Sequence, residues 1–240
     1  MRYSQLLWLV MFLALAGCTT RSISDSGYPG RYGYGSSNPL YKGELSEFDV
    51  LGVDAGKEVS DEEIASAFVD NPQRRMLKRG DRTMLIQSGA MMPDAEMIEH
   101  MEKIFSVSVF TGVPEREKSE NASYSSSLRL AAAKTGISTI FVYWGVLESG
   151  VENLGTKTVS WLPIIGAALP DETQSMRIRL KVAAIDVKSG EWEIFTPKML
   201  DDRAYSARIN RGQSDQAQVL ALKVAAYENL VDDLIARFVR

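Results

Sequence analysis

The sequence predicts a single α/β domain in which helices pack on a mixed sheet and a long helix closes the carboxyl end. Three observations predict this class. Strand-like and helix-like apolar patterns alternate over residues 83–144, in the order of the β-α-β units that produce parallel strands. Residues 176–195 carry two strand patterns joined by a tight turn, which indicates an antiparallel hairpin. Residues 215–238 repeat apolar side chains near the helical period.

The parallel strands and their helices follow from local periodicity. Pro93 and Asp94 suit the first turn of a helix. The apolar stripe of that helix is predicted to comprise Met97, Met101, Ile104 and Phe105. Gly136 is expected to end the next helix in a left-handed conformation. The most apolar strand pattern, residues 140–144, is expected at the centre of the sheet. The strands are predicted at residues 83–88, 106–110 and 140–144, and the helices at residues 93–105 and 124–134.

The antiparallel hairpin is predicted from a clean alternation. Residues 176–182 alternate between apolar and basic side chains, which indicates a strand with one buried and one solvated face. Residues 186–190 end in Gly190, at the position where a hairpin turn requires a positive φ. Residues 191–195 are therefore expected to return as the partner strand.

Residues 46–82 are predicted to precede the domain proper, which is expected to span residues 83–240. Residues 48–53 read as a short extended piece. A local basic patch is expected to be a solvated face, with binding of anionic lipid or glycan as the alternative. This patch comprises Arg74, Arg75, Lys78, Arg79 and Arg82.

A short helix is predicted within the same region. Ser60 and Glu63 have the spacing of a capping box, in which each residue bonds the backbone N–H of the other. The helix that they open places Ile64, Ala67 and Phe68 on one face. This face is expected to dock on the domain.

The first residues of the chain have the features of a secretory signal. Arg2 supplies a positive start, and residues 6–16 form an apolar run that is shorter than the ~20 residues of a membrane span. Small residues then precede Cys18, which is the only cysteine in the chain. The residues at the expected cleavage point are Leu15, Ala16, Gly17 and Cys18.

This tetrapeptide resembles the lipobox of bacterial lipoproteins. The resemblance implies that residues 1–17 are removed, that the thiol of Cys18 carries a diacylglycerol, and that the new amino group carries a further acyl chain such as palmitate. Several acyl chains together hold a protein firmly on a membrane. Thr19 replaces the Asp that, in the sorting rule of such lipoproteins, retains the protein in the inner membrane. The resemblance therefore implies the periplasmic face of the outer membrane.

Residues 18–45 are predicted to be the lipidated cysteine and a flexible tether. Gly, Ser, Pro and Tyr dominate residues 19–41, and such a composition buries too little apolar surface to offset the entropy of ordering. The alternative for its tyrosines is contact with a partner or with glycan. A Gly-rich tether of ~23 residues spans ~25 Å on average.

Composition disfavours several classes of function. The mature part has 26 Lys and Arg (27 less Arg2) against 31 Asp and Glu, a formal charge of −5. An acidic chain with no long basic run is a poor nucleic-acid binder. Acylation of Cys18 would leave no thiol, so neither a disulfide nor a thiolate metal site is expected. No cofactor is expected beyond the covalent acyl groups.

Residues suited to catalysis are few. His100 is the only histidine, and it is expected on the surface of the first predicted helix. Glu148 and Glu152 follow the central strand, at the end where α/β proteins tend to bind ligands. The other acidic pairs are residues 171–172 and 201–202. Each pair is expected to be solvated, so the chain is not expected to be an enzyme or to hold a metal.

A second resemblance concerns the domain. Its order of elements is similar to that of the small domain shared by the curli-secretion lipoprotein, the amino-terminal domain of TolB and the lipoprotein activators of penicillin-binding proteins. The resemblance is carried by residues 140–144 with Gly145, by residues 176–182 and 186–190, and by the closing helix. Gln87-Ser88-Gly89 departs from the Pro-Phe end of the family's first strand, and residues 155–170 read as an added excursion. The resemblance implies that the protein regulates a cell-wall synthase, or that it has an accessory role in a surface or secretion assembly.

The leading hypothesis is a lipid-anchored, non-enzymatic adaptor or regulator that binds an envelope protein, and homo-oligomerisation stays open. A carboxylate-dependent envelope hydrolase and an oligomeric secretion accessory subunit are the alternatives. Residues 161–169 form an apolar segment that is either a core loop or an exposed contact patch. The candidate contact residues are Trp161, Ile164, Ile165 and Leu169.

Overall fold

The computed structural model describes residues 19–26, 38–53, 56, 58–69, 76–114, 123–153, 172–198, 200–206 and 211–240. The strands are β1 (Thr19–Ser22), β2 (Arg82–Gln87), β3 (Ser106–Phe110), β4 (Thr139–Asn153), β5 (Glu172–Asp186), β6 (Trp192–Phe195) and β7 (Leu200–Ser206). The helices are α1 (Glu47–Leu51), α2 (Asp61–Val69), α3 (Ala95–Glu102), α4 (Tyr124–Lys134) and α5 (Arg211–Phe238), with a 3₁₀ turn at Ile23–Asp25.

Within the described residues, one mixed sheet of seven strands organises the fold. Its order is β3-β2-β4-β5-β6, with β1 paired to β4 and β7 paired to β5. Strand β2 is parallel to both β3 and β4, and the remaining pairs are antiparallel. The predicted α/β class, the parallel strands and the antiparallel hairpin are therefore confirmed.

The two longest strands form a ribbon that extends beyond the parallel part of the sheet. Strands β4 and β5 have 15 residues each and pair from Thr139–Asp186 to Asn153–Glu172. At ~3.3 Å per residue the ribbon is ~50 Å long. Its first half lies between β2 and β6, whereas its distal half (residues 146–153 and 172–179) lies between β1 and β7.

The core has one layer on each face of the sheet. Helices α3 and α5 cover the face that carries Phe141 and Tyr143, and Met97 and Met101 of α3 are fully buried there. Helix α4 covers the opposite face. The second layer comprises Ile140, Val142 and Trp144 of β4, Leu128 and Ala132 of α4, and Val50 of α1. The apolar pattern of residues 140–144 is continuous because both faces of this strand are covered, which confirms its central position.

Several local predictions agree with the structure. Helix α4 has the predicted bounds, and Gly136 follows it with φ +72°. Asp186 closes the hairpin turn, because its carboxylate accepts hydrogen bonds from the backbone N–H groups of Lys188 and Ser189, each 2.8 Å long. The capping box is also confirmed, since Ser60 and Glu63 bond each other's backbone N–H.

Two predictions for residues 46–82 are wrong. The segment predicted as extended contains helix α1, which ends at Gly52 in a left-handed conformation and buries Val50 completely. Helix α2 forms, but its predicted docking face does not pack as expected. Ile64 is 50% exposed and Ala67 is also exposed. The capping box therefore stabilises a helix whose described apolar side chains face solvent.

Strand β7 and the first turn of α5 were not predicted from the sequence. Residues 201–202, predicted to be a solvated acidic pair, lie within β7. This strand pairs with β5 from Leu200–Ile178 to Ser206–Glu172. Its acidic residues disfavour a strand locally, so its conformation depends on the neighbouring strand.

The predicted tether differs from the structure at residues 19–26 and 38–45. Strand β1 pairs with the distal half of the ribbon, and Ile23 in the following turn is 1% exposed. Only Ile23 and Leu40 are aliphatic within residues 19–41. Burial of one aliphatic side chain contributes ~1.5–3 kcal/mol, and the paired backbone of β1 adds to it. Residues 19–26 are called the strap below.

Candidate functional site

The candidate site lies at the carboxyl end of β2, next to β4. The connection from β2 runs through α3 to β3 on one side, and the connection from β3 runs through α4 to β4 on the other. The two helices lie on opposite faces of the sheet. Such a divergence of connections leaves a crevice where open α/β sheets bind their ligands. Here the crevice holds part of the same chain.

Ser24 of the strap lies at the centre of this crevice. Its hydroxyl donates to the carbonyl of Ser88, 2.6 Å away, and accepts from the side-chain amide of Gln87 at 3.0 Å. Ser24, Gln87 and Ser88 are all buried. The last residue of β2 and the residue that follows it therefore both bond the strap.

A second segment of the chain, residues 38–45, covers the strap and the crevice. The side chain of Asn38 donates to the carbonyl of Ser24 at 3.1 Å. The backbone N–H of Leu45 donates to the hydroxyl of Ser88 at 2.8 Å, and the carbonyl of Leu45 accepts from the indole N–H of Trp144 at 3.0 Å. Strap and domain are thus joined through buried polar groups as well as apolar contacts.

Gly145 makes room for the strap on β4. A Cβ at this position would lie 2.5 Å from Cδ1 of Ile23 and 2.8 Å from Cδ2 of Leu180. Both distances are shorter than any normal carbon–carbon contact, so a larger residue would push Ile23 away from β4. This glycine, which lies within the central strand, therefore has a packing role that its position in the sequence does not reveal.

Asp94 connects the crevice to the C-terminal helix. It stands at the N-cap of α3 but makes no capping bond with its side chain. Its carboxylate instead accepts from the ammonium of Lys223, 2.9 Å away, and from the hydroxyl of Tyr227. The ammonium of Lys223 also donates to the carbonyl of Ile23 at 3.0 Å. Lys223 thus bonds both the N-cap residue of α3 and the strap.

Gln87 links this acid to the central strand. Its side-chain carbonyl accepts from the hydroxyl of Tyr143 at 2.6 Å and from the backbone N–H of Asp94 at 2.7 Å. Burial raises the pKa of Tyr143 well above the usual value, and the nearby carboxylate of Asp94 raises it further. Burial likewise raises the pKa of Tyr227, with Tyr143 and Asp94 as further causes. Both phenols therefore stay neutral and act as donors.

Glu148, considered above as a catalytic carboxylate, is engaged in ion pairs. It faces Arg177 across β4 and β5, and its carboxylate lies 2.9 Å from Nε of that residue. Arg179 pairs with the same carboxylate. The side chain of Glu148 is 17% exposed. A carboxylate held by two guanidinium groups is a poor general base, because protonation would weaken both ion pairs.

The other candidate residues predicted from the sequence do not join the Asp94 network in the described part of the chain. His100 lies half-buried in the last turn of α3, away from the Asp94 network. Glu152 lies in β4, four residues beyond Glu148. The lipobox residues (15–18) and residues 161–169, including Trp161, Ile164, Ile165 and Leu169, lie outside the described part of the chain. Their roles stay predictions.

Two kinds of feature are absent from the part of the chain that the structure describes. No group of three or more His, Cys, Asp or Glu side chains there is arranged to hold a metal ion. No helix there is long and apolar enough to cross a membrane.

The sequence carries one signal for this network, in the apolar stripe of α5. Lys223 lies between Val219, Leu222, Ala226 and Tyr227 on the buried stripe of α5. A lysine is rarely buried unless a partner neutralises it, so a lysine on an apolar stripe predicts a buried acid nearby. Ser24 carries no such signal, because nothing local distinguishes it from the other serines of the predicted tether.

Comparisons with known proteins complete the description. A crystal structure of a neuraminyllactose-binding hemagglutinin homolog from Helicobacter pylori matches with 13% identity and a TM-score of 0.29, covering 69% of this chain and 87% of that one. A structure of the hypothetical protein CT253 from Chlamydia trachomatis matches with 10% identity and a TM-score of 0.25, covering 66% and 95%. No curated protein matches the chain. The family model described as YafT bacterial lipoprotein matches residues 46–237, so the chain belongs to the YafT family of bacterial lipoproteins.

Proposed function

We propose that this protein is a lipid-anchored adaptor at the periplasmic face of the outer membrane, acylated on Cys18, and that it acts by binding an envelope protein rather than by catalysis. Membership of a bacterial lipoprotein family supports the anchor. The observation that carries the non-enzymatic role is the occupation of the crevice at the end of β2 by the strap. The place where this fold class holds substrates and cofactors is filled by Ser24 and Ile23.

The arrangement of charged groups supports the same proposal. Asp94 is neutralised by Lys223, and Glu148 is neutralised by Arg177 and Arg179. Both carboxylates are thus engaged in ion pairs within the protein. These pairings favour the adaptor over the envelope hydrolase. Nothing in the described residues favours the secretion accessory subunit over the adaptor.

The anchor is tested by a pair of substitutions. Cys18→Ala removes the only thiol that could be acylated, so the protein is expected to lack acyl chains, to retain its signal peptide and to be absent from the outer-membrane fraction. Thr20→Ala is the control, because it changes an exposed residue of β1 and leaves Leu15 to Cys18 intact. Mass spectrometry of the N-terminal peptide reports the acyl chains. An unacylated wild-type protein that is cut elsewhere would contradict the proposal.

The partner is tested by crosslinking in living cells, followed by mass spectrometry of the captured proteins. We expect one envelope protein to be captured by the wild type and lost in Ile165→Glu, a change in the candidate contact segment. Ile64→Glu is the control, because Ile64 is equally apolar and is 50% exposed on α2. Equal capture by both variants would exclude the segment at 161–169 as the contact. Capture of the protein by itself alone would indicate a homo-oligomer, and the absence of any specific capture would refute the adaptor.

A further inference from the structure

We propose that the distal half of the β4–β5 ribbon lies against the lipid headgroups of the leaflet that holds the anchor, so that the domain has a fixed orientation on the membrane. The inference rests on the proposed acylation of Cys18. It adds to the proposed function a second contact with the bilayer, made by the folded domain itself.

The register of β1 carries the inference. Thr19 pairs with Ser149, and Ser22 pairs with Val146. Cys18 directly precedes Thr19, and consecutive Cα atoms lie only ~3.8 Å apart. The acylated residue is therefore no more than one residue away from the level of Ser149 on the ribbon. No length of free chain separates the anchor from the sheet.

The strap is held firmly enough to transmit this constraint. Ile23 is 1% exposed and lies against Gly145, and Ser24 bonds the end of β2. Lys223, on the helix that packs in the same core layer as Ile23, bonds the carbonyl of Ile23. Displacement of the strap would leave the ammonium of Lys223 without one of its two acceptors and would expose a buried isoleucine. The domain therefore follows the anchor as one body.

The ribbon continues past the level of the anchor. Four more residues of β4 follow Ser149, which adds ~13 Å at the rise of an extended strand. The residues of both strands in this stretch are mostly polar, with Glu152 and Asn153 in β4 and residues 172–175 (ETQS) in β5. Such residues suit the hydrated headgroup layer and not the acyl core. The end of the ribbon is thus expected to rest among headgroups.

Two exposed side chains can add contacts at this level. Arg177 lies in the row of Thr20 and Glu148, and Arg179 lies in the row of Ser22 and Val146. Their side chains are 52% and 55% exposed. A guanidinium that already pairs with a carboxylate retains donors that can reach a lipid phosphate. The opposite end of β5, with the turn that contains Lys188, points away from the membrane.

The experiment relies on Cys18 being the only cysteine of the chain. Because the anchor consumes Cys18, one introduced cysteine gives the only free thiol of the acylated protein. Arg177→Cys places a fluorophore on the distal half, and Lys188→Cys places it in the turn at the other end of β5. Both variants remove one exposed positive charge, so they are matched. The acylated proteins are inserted into vesicles of phosphatidylethanolamine and phosphatidylglycerol that contain a lipid with a headgroup nitroxide.

We expect the nitroxide to quench the fluorophore at position 177 several-fold more strongly than the one at position 188, because the two positions are ~35 Å apart along an extended strand. In the Ile23→Glu background, which places a charge in the strap's buried contact, quenching at 177 is expected to fall to the level at 188. Arg179→Cys repeats the first measurement and keeps Arg177 in place.

The possible failures are distinguishable. Equal quenching at 177 and 188 in fully acylated protein would overturn the orientation and leave the anchor intact. Strong quenching at 177 that persists in Ile23→Glu would overturn the role of the strap in setting it. A protein without acyl chains on Cys18 would overturn the anchor and the orientation together. The comparison of 177 with 188 needs no strap variant, so misfolding of Ile23→Glu does not affect it.

Discussion

Lys223 donates a 3.0 Å hydrogen bond from the C-terminal helix to the backbone carbonyl of Ile23, 200 residues earlier in the chain. The same ammonium lies 2.9 Å from the carboxylate of Asp94 and is only 8% exposed. This relationship ties the segment next to the lipidation motif to the core. A region whose composition predicts a flexible tether is therefore partly a structural element of the domain.

The first prediction concerns this lysine. Lys223→Met keeps the aliphatic stem but leaves the Asp94 carboxylate without its cation, so the free energy of unfolding is expected to fall by about 2–4 kcal/mol. This loss is at the lower end of the range for breaking a buried ion pair, because the Asp94 side chain is 25% exposed. Urea unfolding measures the change. Lys188→Met, at an exposed turn position, is the control and is expected to change stability by less than about 0.5 kcal/mol.

The same variant is expected to loosen the strap before it unfolds the domain. Arg21 lies within β1, so trypsin can cut there only when the strap leaves the sheet. We expect faster cleavage after Arg21 in Lys223→Met than in wild type or Lys188→Met. Unchanged cleavage would mean that the bond to Ile23 does not hold the strap.

The second prediction concerns the close approach of Ile23 to Gly145. Gly145→Ala introduces a Cβ 2.5 Å from Ile23, and overpacking of this kind costs about 1–3 kcal/mol. Ile23→Ala alone costs about 2–5 kcal/mol through lost burial. In the double variant the clash with Ile23 is absent and only the one with Leu180 remains, so the loss is expected to be smaller than the sum of the single losses. Additive losses, measured by denaturant unfolding, would contradict the proposed contact.

The third prediction concerns alkaline stability. Burial raises the pKa of Tyr227 and of Tyr143 well above the usual value, and burial with the charge of Glu44 raises that of Tyr41 to about 12. A raised pKa means that the folded state holds the phenol proton more tightly than the unfolded state. The resulting stability is complete below the unfolded pKa of ~10 and is lost as the pH rises through the folded values.

We therefore expect the free energy of unfolding to decline above pH ~10. In Tyr227→Phe this decline is expected to be shallower, because one titrating phenol is gone, although the variant is less stable than wild type at pH 8. Unfolding curves recorded from pH 8 to pH 11 measure both effects. An equally steep decline in the variant would mean that Tyr227 does not contribute to the pH dependence.

The fourth prediction separates the adaptor from the hydrolase. Glu148→Gln removes the charge that pairs with Arg177 and Arg179, both of which are more than half exposed, so the stability change is expected to stay below about 1 kcal/mol. If Glu148 were catalytic, the same change would abolish function in cells. We expect cells with Glu148→Gln to match wild type in envelope integrity and in partner capture. A null phenotype with a stable protein would favour the hydrolase.

Periodicity was sufficient where an element's own residues decide its conformation. Helix α4 has the predicted bounds, the capping box of Ser60 and Glu63 forms, and the alternation in residues 176–182 gives one buried face. In each case the apolar spacing or the cap lies within the element. The candidate site was harder to predict, because Ser24 and Lys223 are far along the chain from Gln87 and Asp94 and are joined to them only by the fold.

The sequence by itself determined the α/β class and the order of the main strands and helices, and it predicts a lipidation motif that precedes the domain. The tertiary structure alone decided that residues 19–22 and 200–206 are strands, because both have their hydrogen-bonding partners on the ribbon, which for residues 19–22 lies far along the chain. It also decided that Lys223 is buried, since only the folded chain brings Asp94 and the Ile23 carbonyl to it. A local sequence pattern indicates which side chains a segment can bury. Strand pairing across more than a hundred residues depends instead on which sheet edges and surfaces the other segments leave uncovered.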